Sequence, residues 1–299
     1  MSDPTAKARA MRLERLQTML DQQLVNPRAA LETLMTELRI GESQPALWEQ
    51  LHQAASRDKN EIELADAYEK MAADRRLKQL APVEHAALLM HAADFLQGSL
   101  GDGDGAEPYL WNVLRLTPDN REAFSRIERR IEAAHDELRL VELYAVVSRS
   151  PPKPADEMAR RVIKIVALLP AKTPLSDEAC RGLLGLVPAS SAVLSILETH
   201  CQKTHRKDLA YELIEEAIAA GGLPEVKTVE QHRHLIEMYM GENNTPEKAI
   251  SHVEALLGRY PSDAQARAAA ERLIQNRLVA SRAAAVLQKA RRESRAPRV

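Results

Sequence analysis

Versions of one short amphipathic segment recur along the chain. Residues 106–120 read AEPYLWNVLRLTPDN. Ala106, Leu110 and Val113 fall on one helical face, because steps of four and three residues bring side chains round to the same side. Pro118 follows where that helix must stop. Leu140, Tyr144, Val147 and Pro152 stand 34 positions further on in the same arrangement. Ala249, Val253, Leu256 and Pro261 carry it again, with Tyr-Pro-Ser-Asp as the closing turn. Leu64, Tyr68 and Met71 fit the helix positions earlier, with Arg76 in place of the proline.

Each such helix has a partner before it. Trp48, Leu51 and Ala55 precede Leu64, and Phe124, Ile127 and Ile131 precede Leu140. An aromatic residue, Leu or Ile, a small or apolar residue, then a second helix closed by proline resembles the tetratricopeptide (TPR) repeat family. Its unit of 34 residues packs as a helix–turn–helix. The resemblance is strongest at 45–78, 87–120, 121–154 and 230–263, and looser over 155–229. It implies an all-α fold, a right-handed superhelical solenoid of stacked antiparallel helix hairpins, about eight by extrapolating the family unit.

The pattern divides the chain into an N-terminal helical hairpin (1–43), TPR-like repeats (44–154), degenerate helical repeats (155–229), a C-terminal repeat with capping helices (230–293) and a disordered tail (294–299). The first helix is expected over 5–23. A second starts at Asn26-Pro27, with Ala30, Leu34 and Leu38 inward. The run Gly101-Asp102-Gly103-Asp104-Gly105 reads as a flexible, solvated connector; its alternating aspartates lack the downstream glutamate of a calcium loop. Pro151, Pro152 and Pro154 mark the sharpest break, a candidate joint between two halves or simply a stiff inter-repeat turn.

A solenoid suits 299 residues, because each unit needs to pack only on its neighbours. Aromatic residues are 3% of the chain, so the core must rest on Leu, Ala, Val and Ile. A net charge of −2 argues against a general nucleic-acid surface. The basic tail from Lys289 to Arg298 reads as a solubilising end. Two cysteines give no disulfide framework. The start MSDPTAKARAMRLERL lacks the apolar core of a signal peptide. The most apolar run, Val162 to Leu169, is too short to span a bilayer. A cytoplasmic protein is expected.

Motifs for chemistry are missing from the sequence. It has no Gly-x-Ser-x-Gly elbow, phosphate-binding loop or dinucleotide fingerprint. Cys201 and His205 share a helical face, with His200, His232 and His234 nearby, but no Cys-x-x-Cys or His-Glu-x-x-His spacing supports zinc. No catalytic residue, cofactor or metal is expected. The TPR resemblance implies that the first helix of each pair lines a groove for another protein or peptide segment. By repeat position the groove residues are Glu49 and Gln53, His91 and Phe95, Ser125 and Arg129, then His234 and Met238. Phe95 and Met238 are apolar anchors in this reading, or inter-repeat core by their helical spacing; Arg129 is a partner for a carboxylate. The Lys and Asn pattern of the carboxylate-binding subset is missing at these positions. The expected function is a non-catalytic scaffold or adaptor. A structural subunit that self-associates through its stack ends and an RNA-associated repeat protein are the other readings.

Overall fold

The computed structural model of the chain describes residues 45–241 and 244–294, together with Thr18, Asn26 and residues 29–33. The described residues are helical and contain no strand. None of these helices is long and apolar enough to cross a membrane. The expected first helix, Leu34, Leu38 and the tail beyond Ser294 lie outside the described residues, apart from Thr18, which is helical. Ala30 and Leu31 are buried in the core that includes Trp48 and Tyr68.

The chain separates into two compact units between Pro154 and Ala155, directly after the proline run. The first holds α1 (Pro45–Asp58), α2 (Glu61–Ala72), α3 (Pro82–Gly98), α4 (Gly103–Leu116), α5 (Arg121–Ala133) and α6 (Glu137–Val147). The second holds α7 (Ala155–Leu168), α8 (Asp177–Leu183, run on by a 3-10 turn to Leu186), α9 (Ala192–Lys203), α10 (Lys207–Ala219), α11 (Glu225–Met240), α12 (Pro246–Arg259), α13 (Ala264–Leu273) and α14 (Ala280–Glu293). Residues 263–293 therefore form a helix pair and not one bent helix.

Within the first unit, packed helices are one or two apart in the chain. Sequence neighbours pair as hairpins, and alternate helices touch. Trp48 of α1 stacks on His91 of α3, with ring centroids 4.3 Å apart. Arg126 of α5 reaches back to Asp94 of α3 at 2.5 Å. Arg139 of α6 pairs with Glu107 of α4. The second unit repeats the scheme. Among odd-numbered helices, α7 packs on α9 and α11 on α13, while His234 of α11 faces Glu198 of α9 at 3.2 Å. Among even-numbered ones, Arg181 of α8 bonds Glu212 of α10 at 2.5 Å, and Arg282 of α14 bonds Glu254 of α12 at 2.5 Å. Each unit thus has an odd row and an even row, with the apolar side chains between them.

The hairpin turns also recur. After α1, α5 and α9 the chain passes through a single left-handed residue: Lys59 (φ 60°), His135 (φ 53°) and His205 (φ 58°). The next amide then bonds back over the helix end, Asn60 to Ala55 (2.8 Å), Asp136 to Ile131 (3.2 Å) and Arg206 to Cys201 (2.8 Å). This is the six-to-one closure of a Schellman motif. It occurs inside the stretch that the sequence reads as loosest. There Leu194, Leu197 and Cys201, then Ala210, Ile214 and Ala217, occupy the same buried positions as Phe124, Ile127 and Ile131, then Leu140, Tyr144 and Val147. Cysteine and alanine in place of large apolar residues hid the unit.

Two local expectations need correction. The Gly-Asp connector is largely the first turn of α4. Gly101 takes φ 65°, and the Asp102 carboxylate accepts from the Gly105 amide at 2.8 Å, capping the helix. Where Arg76 stands in place of the expected proline, α2 has already ended at Ala72, and a 3-10 turn over Arg75–Gln79 follows, burying Leu77.

Candidate partner-binding face

All eight groove residues named from the sequence lie on odd-numbered helices, six in the first unit and two in the second, but they are not presented equally. Glu49 and Gln53 are exposed on α1, and the Gln53 amide donates to the Glu49 carboxylate at 3.2 Å. Ser125 and Arg129 are exposed on α5. Arg126 and Arg130, on either side, are engaged: Arg126 with Asp94 and Gln97, Arg130 with Asp104 and Glu107. Among the described residues none pairs with Arg129. Its guanidinium is a free bidentate donor beside two committed ones.

His91 and Phe95 do not belong to this face. Phe95 is fully buried in the first unit's core, with its ring 5.8 Å from that of Tyr68 and 5.0 Å from that of His52. His91 lies flat against Trp48. The cause is the breadth of the buried face of α3, which takes in Ala86, Leu88, Leu89, Ala92, Ala93, Phe95 and Leu96. A frame counted back 34 residues from α5 puts Asp94 and Gln97 inside, yet both are exposed and hold Arg126. The reading of Phe95 as an apolar anchor for a partner is therefore corrected: its ring is spent on the core.

Burial has electrostatic consequences here. Desolvation lowers the pKa of His52 to about 4, with His91 adding to the effect, and desolvation also lowers His91 to about 4. Both are neutral near pH 7. His52 Nε2 lies 2.8 Å from the Tyr68 hydroxyl.

In the second unit, His234 and Met238 are half-buried on α11. Met238 turns toward α10, where the Tyr211 hydroxyl lies 3.7 Å from its sulfur. The Glu198 carboxylate raises the pKa of His234, against a smaller desolvation effect. Cys201, His200 and His205, weighed as zinc ligands, go separate ways. Cys201 is buried beside Cys180, His200 Nε2 accepts from the Leu175 amide at 3.2 Å, and His205 forms a turn. Among the described residues no three His, Cys, Asp or Glu side chains are placed to hold one metal ion together.

Sequence reasoning missed two acid–tyrosine pairs, one buried and one half-buried. The Tyr144 hydroxyl donates to Glu128 at 2.9 Å, and Lys153 meets the second oxygen of Glu128 at 2.5 Å. The Tyr239 hydroxyl donates to Glu215 at 2.6 Å, with Lys248 at 3.4 Å from the other oxygen. Tyr144 and Glu128 lie 16 residues apart on the facing helices of one hairpin, so only a Glu on the apolar face of α5 signals the pair. Neither a family model nor a curated protein matches the chain.

Proposed function

We propose that this chain is a non-catalytic interaction scaffold: a TPR-like solenoid that holds a segment of another protein along the outer face of the odd-numbered helices of its first unit. The observation that carries this reading is the row-on-row packing within each unit. It uses the inner faces for cohesion and leaves Glu49, Gln53, Ser125 and Arg129 of the first unit outside. The repeated hairpin turns at Lys59, His135 and His205 support a repeat architecture, and a rigid repeat frame suits binding by many modest contacts. The polar character of the exposed residues favours an extended segment bearing a carboxylate, which Arg129 grips in a bidentate manner.

The test is affinity capture with the intact chain, comparing wild type and Arg129→Glu by quantitative mass spectrometry. A partner whose recovery falls at least tenfold, with unchanged circular dichroism, supports the reading. Equal recovery of every captured protein sinks it. Light scattering on the isolated chain separates the competing reading: a large homogeneous particle without any partner points to a structural subunit. Salt-sensitive retention on RNA points to a nucleic-acid role.

A further inference from the structure

The hairpin of α11 and α12 brings together two imidazoles that the scaffold reading leaves unused. His232 Nδ1 and His252 Nδ1 are 3.1 Å apart, with ring centroids at 5.2 Å and planes inclined by 53°. From this geometry we propose that His232 and His252 form a two-imidazole site for one divalent ion of the nickel–copper–zinc group, with solvent completing its coordination.

Three observations support the assignment. First, two nitrogens bound to one such ion at roughly 2.0–2.1 Å stand about 2.9–3.4 Å apart for bond angles between square and tetrahedral. The spacing observed falls in that range, so the two nitrogens need no further approach; the rings turn until both lone pairs meet at one point off the Nδ1–Nδ1 line. Imidazole is a ligand suited to these ions, whose affinities rise through nickel to copper.

Second, both rings are held in the form that coordinates. Burial lowers the pKa of His232 to about 4, with His252 contributing, and burial also lowers that of His252. A neutral imidazole keeps a lone pair for a metal.

Third, an outer carboxylate is in place. Glu215 Oε1 lies 3.6 Å from His252 Nε2, on the side of the ring away from His232. The Tyr239 hydroxyl and Lys248 fix that carboxylate, and the Tyr239 ring stacks on His252 with centroids 5.8 Å apart. A proton kept on Nε2 toward Glu215 leaves Nδ1 of His252 as an acceptor. At 3.6 Å the contact is an ion-pair distance and longer than a hydrogen bond; closing it on metal binding would give the outer-sphere contact that orients metal-binding histidines. Without metal, His232 Nδ1–H donates to His252 Nδ1. With metal, His232 carries its proton on Nε2. His232 is half-buried and the His252 side chain is 13% exposed, so the pair stands at the edge of the fold and not deep within it.

The experiment is calorimetric titration of the full chain with Ni²⁺ at pH 7.5. We expect one ion per chain, with affinity reduced at least tenfold by His232→Gln or His252→Gln and unchanged by His135→Asn, a substitution at an exposed histidine. Circular dichroism checks that each variant folds. A second measurement needs no variant: Ni²⁺ should protect His232 and His252, but not His135, from diethyl pyrocarbonate, read by peptide mass mapping. Undiminished Ni²⁺ binding in both folded variants, or equal modification of all three histidines with and without Ni²⁺, overturns the proposal.

Discussion

Single residues set the chain's response to pH, and they pull in opposite directions. His52 and His91 titrate near 4 in the fold and near 6.5 when unfolded. Between these values the unfolded chain binds more protons, so stability is full above pH 6.5 and falls as the pH drops toward 4. The slope approaches roughly 1 kcal/mol per pH unit for each group. Urea unfolding at pH 7, 5.5 and 4.5 should show this acid limb, and His91→Phe should flatten it. His234 works the other way. Its pKa is raised by Glu198, so its contribution is present below 6.5 and is lost as the pH climbs through the folded value. The buried Tyr144–Glu128 contact makes a separate prediction. Tyr144→Phe leaves a carboxylate that is 5% exposed with one donor fewer. Equilibrium unfolding should register a loss of about 1–3 kcal/mol.

At the scale of the helix, terminal contacts repay attention because many turns here rest on one side chain. Asp102 caps α4 through the Gly105 amide. Asp102→Ala should cost about 1 kcal/mol, and hydrogen exchange should rise first at the amides of 103–106. The left-handed residue in the turn after α9 gives the opposite sign. His205 at φ 58° bears the steric cost of a Cβ in a conformation glycine takes freely. His205→Gly should raise the thermal midpoint, by a stability gain of up to about 1 kcal/mol. A lower midpoint would show that its side chain matters more than its backbone. The helix scale also explains why Phe95 was misplaced. The register of α3 follows from where Pro82 starts it and from the stripe Leu88, Leu89, Ala92 and Phe95. A repeat period measured elsewhere in the chain does not govern it.

At the scale of the molecule, each unit has its own core, and helices pack on their first and second neighbours in sequence. Such a chain loses stability locally when one helix is weakened. Leu197 of α9 is fully buried. Leu197→Ala should cost about 2–5 kcal/mol, and native-state exchange should show protection falling in α7, α9, α10 and α11 well before α13 and α14. A uniform fall across the second unit would mean a single cooperative core and would count against the solenoid reading.

The sequence alone determined that the chain is helical, because apolar spacing and proline stops act within a few residues of each other. It also placed the break after Pro154. Tertiary structure decided everything that depends on the phase between helices: which face of α3 turns inward, which arginine of the Ser125–Arg130 run stays free, and that His232 meets His252. Those outcomes turn on side chains 20 to 43 positions apart, where local apolar spacing says nothing of how one helix is turned against another.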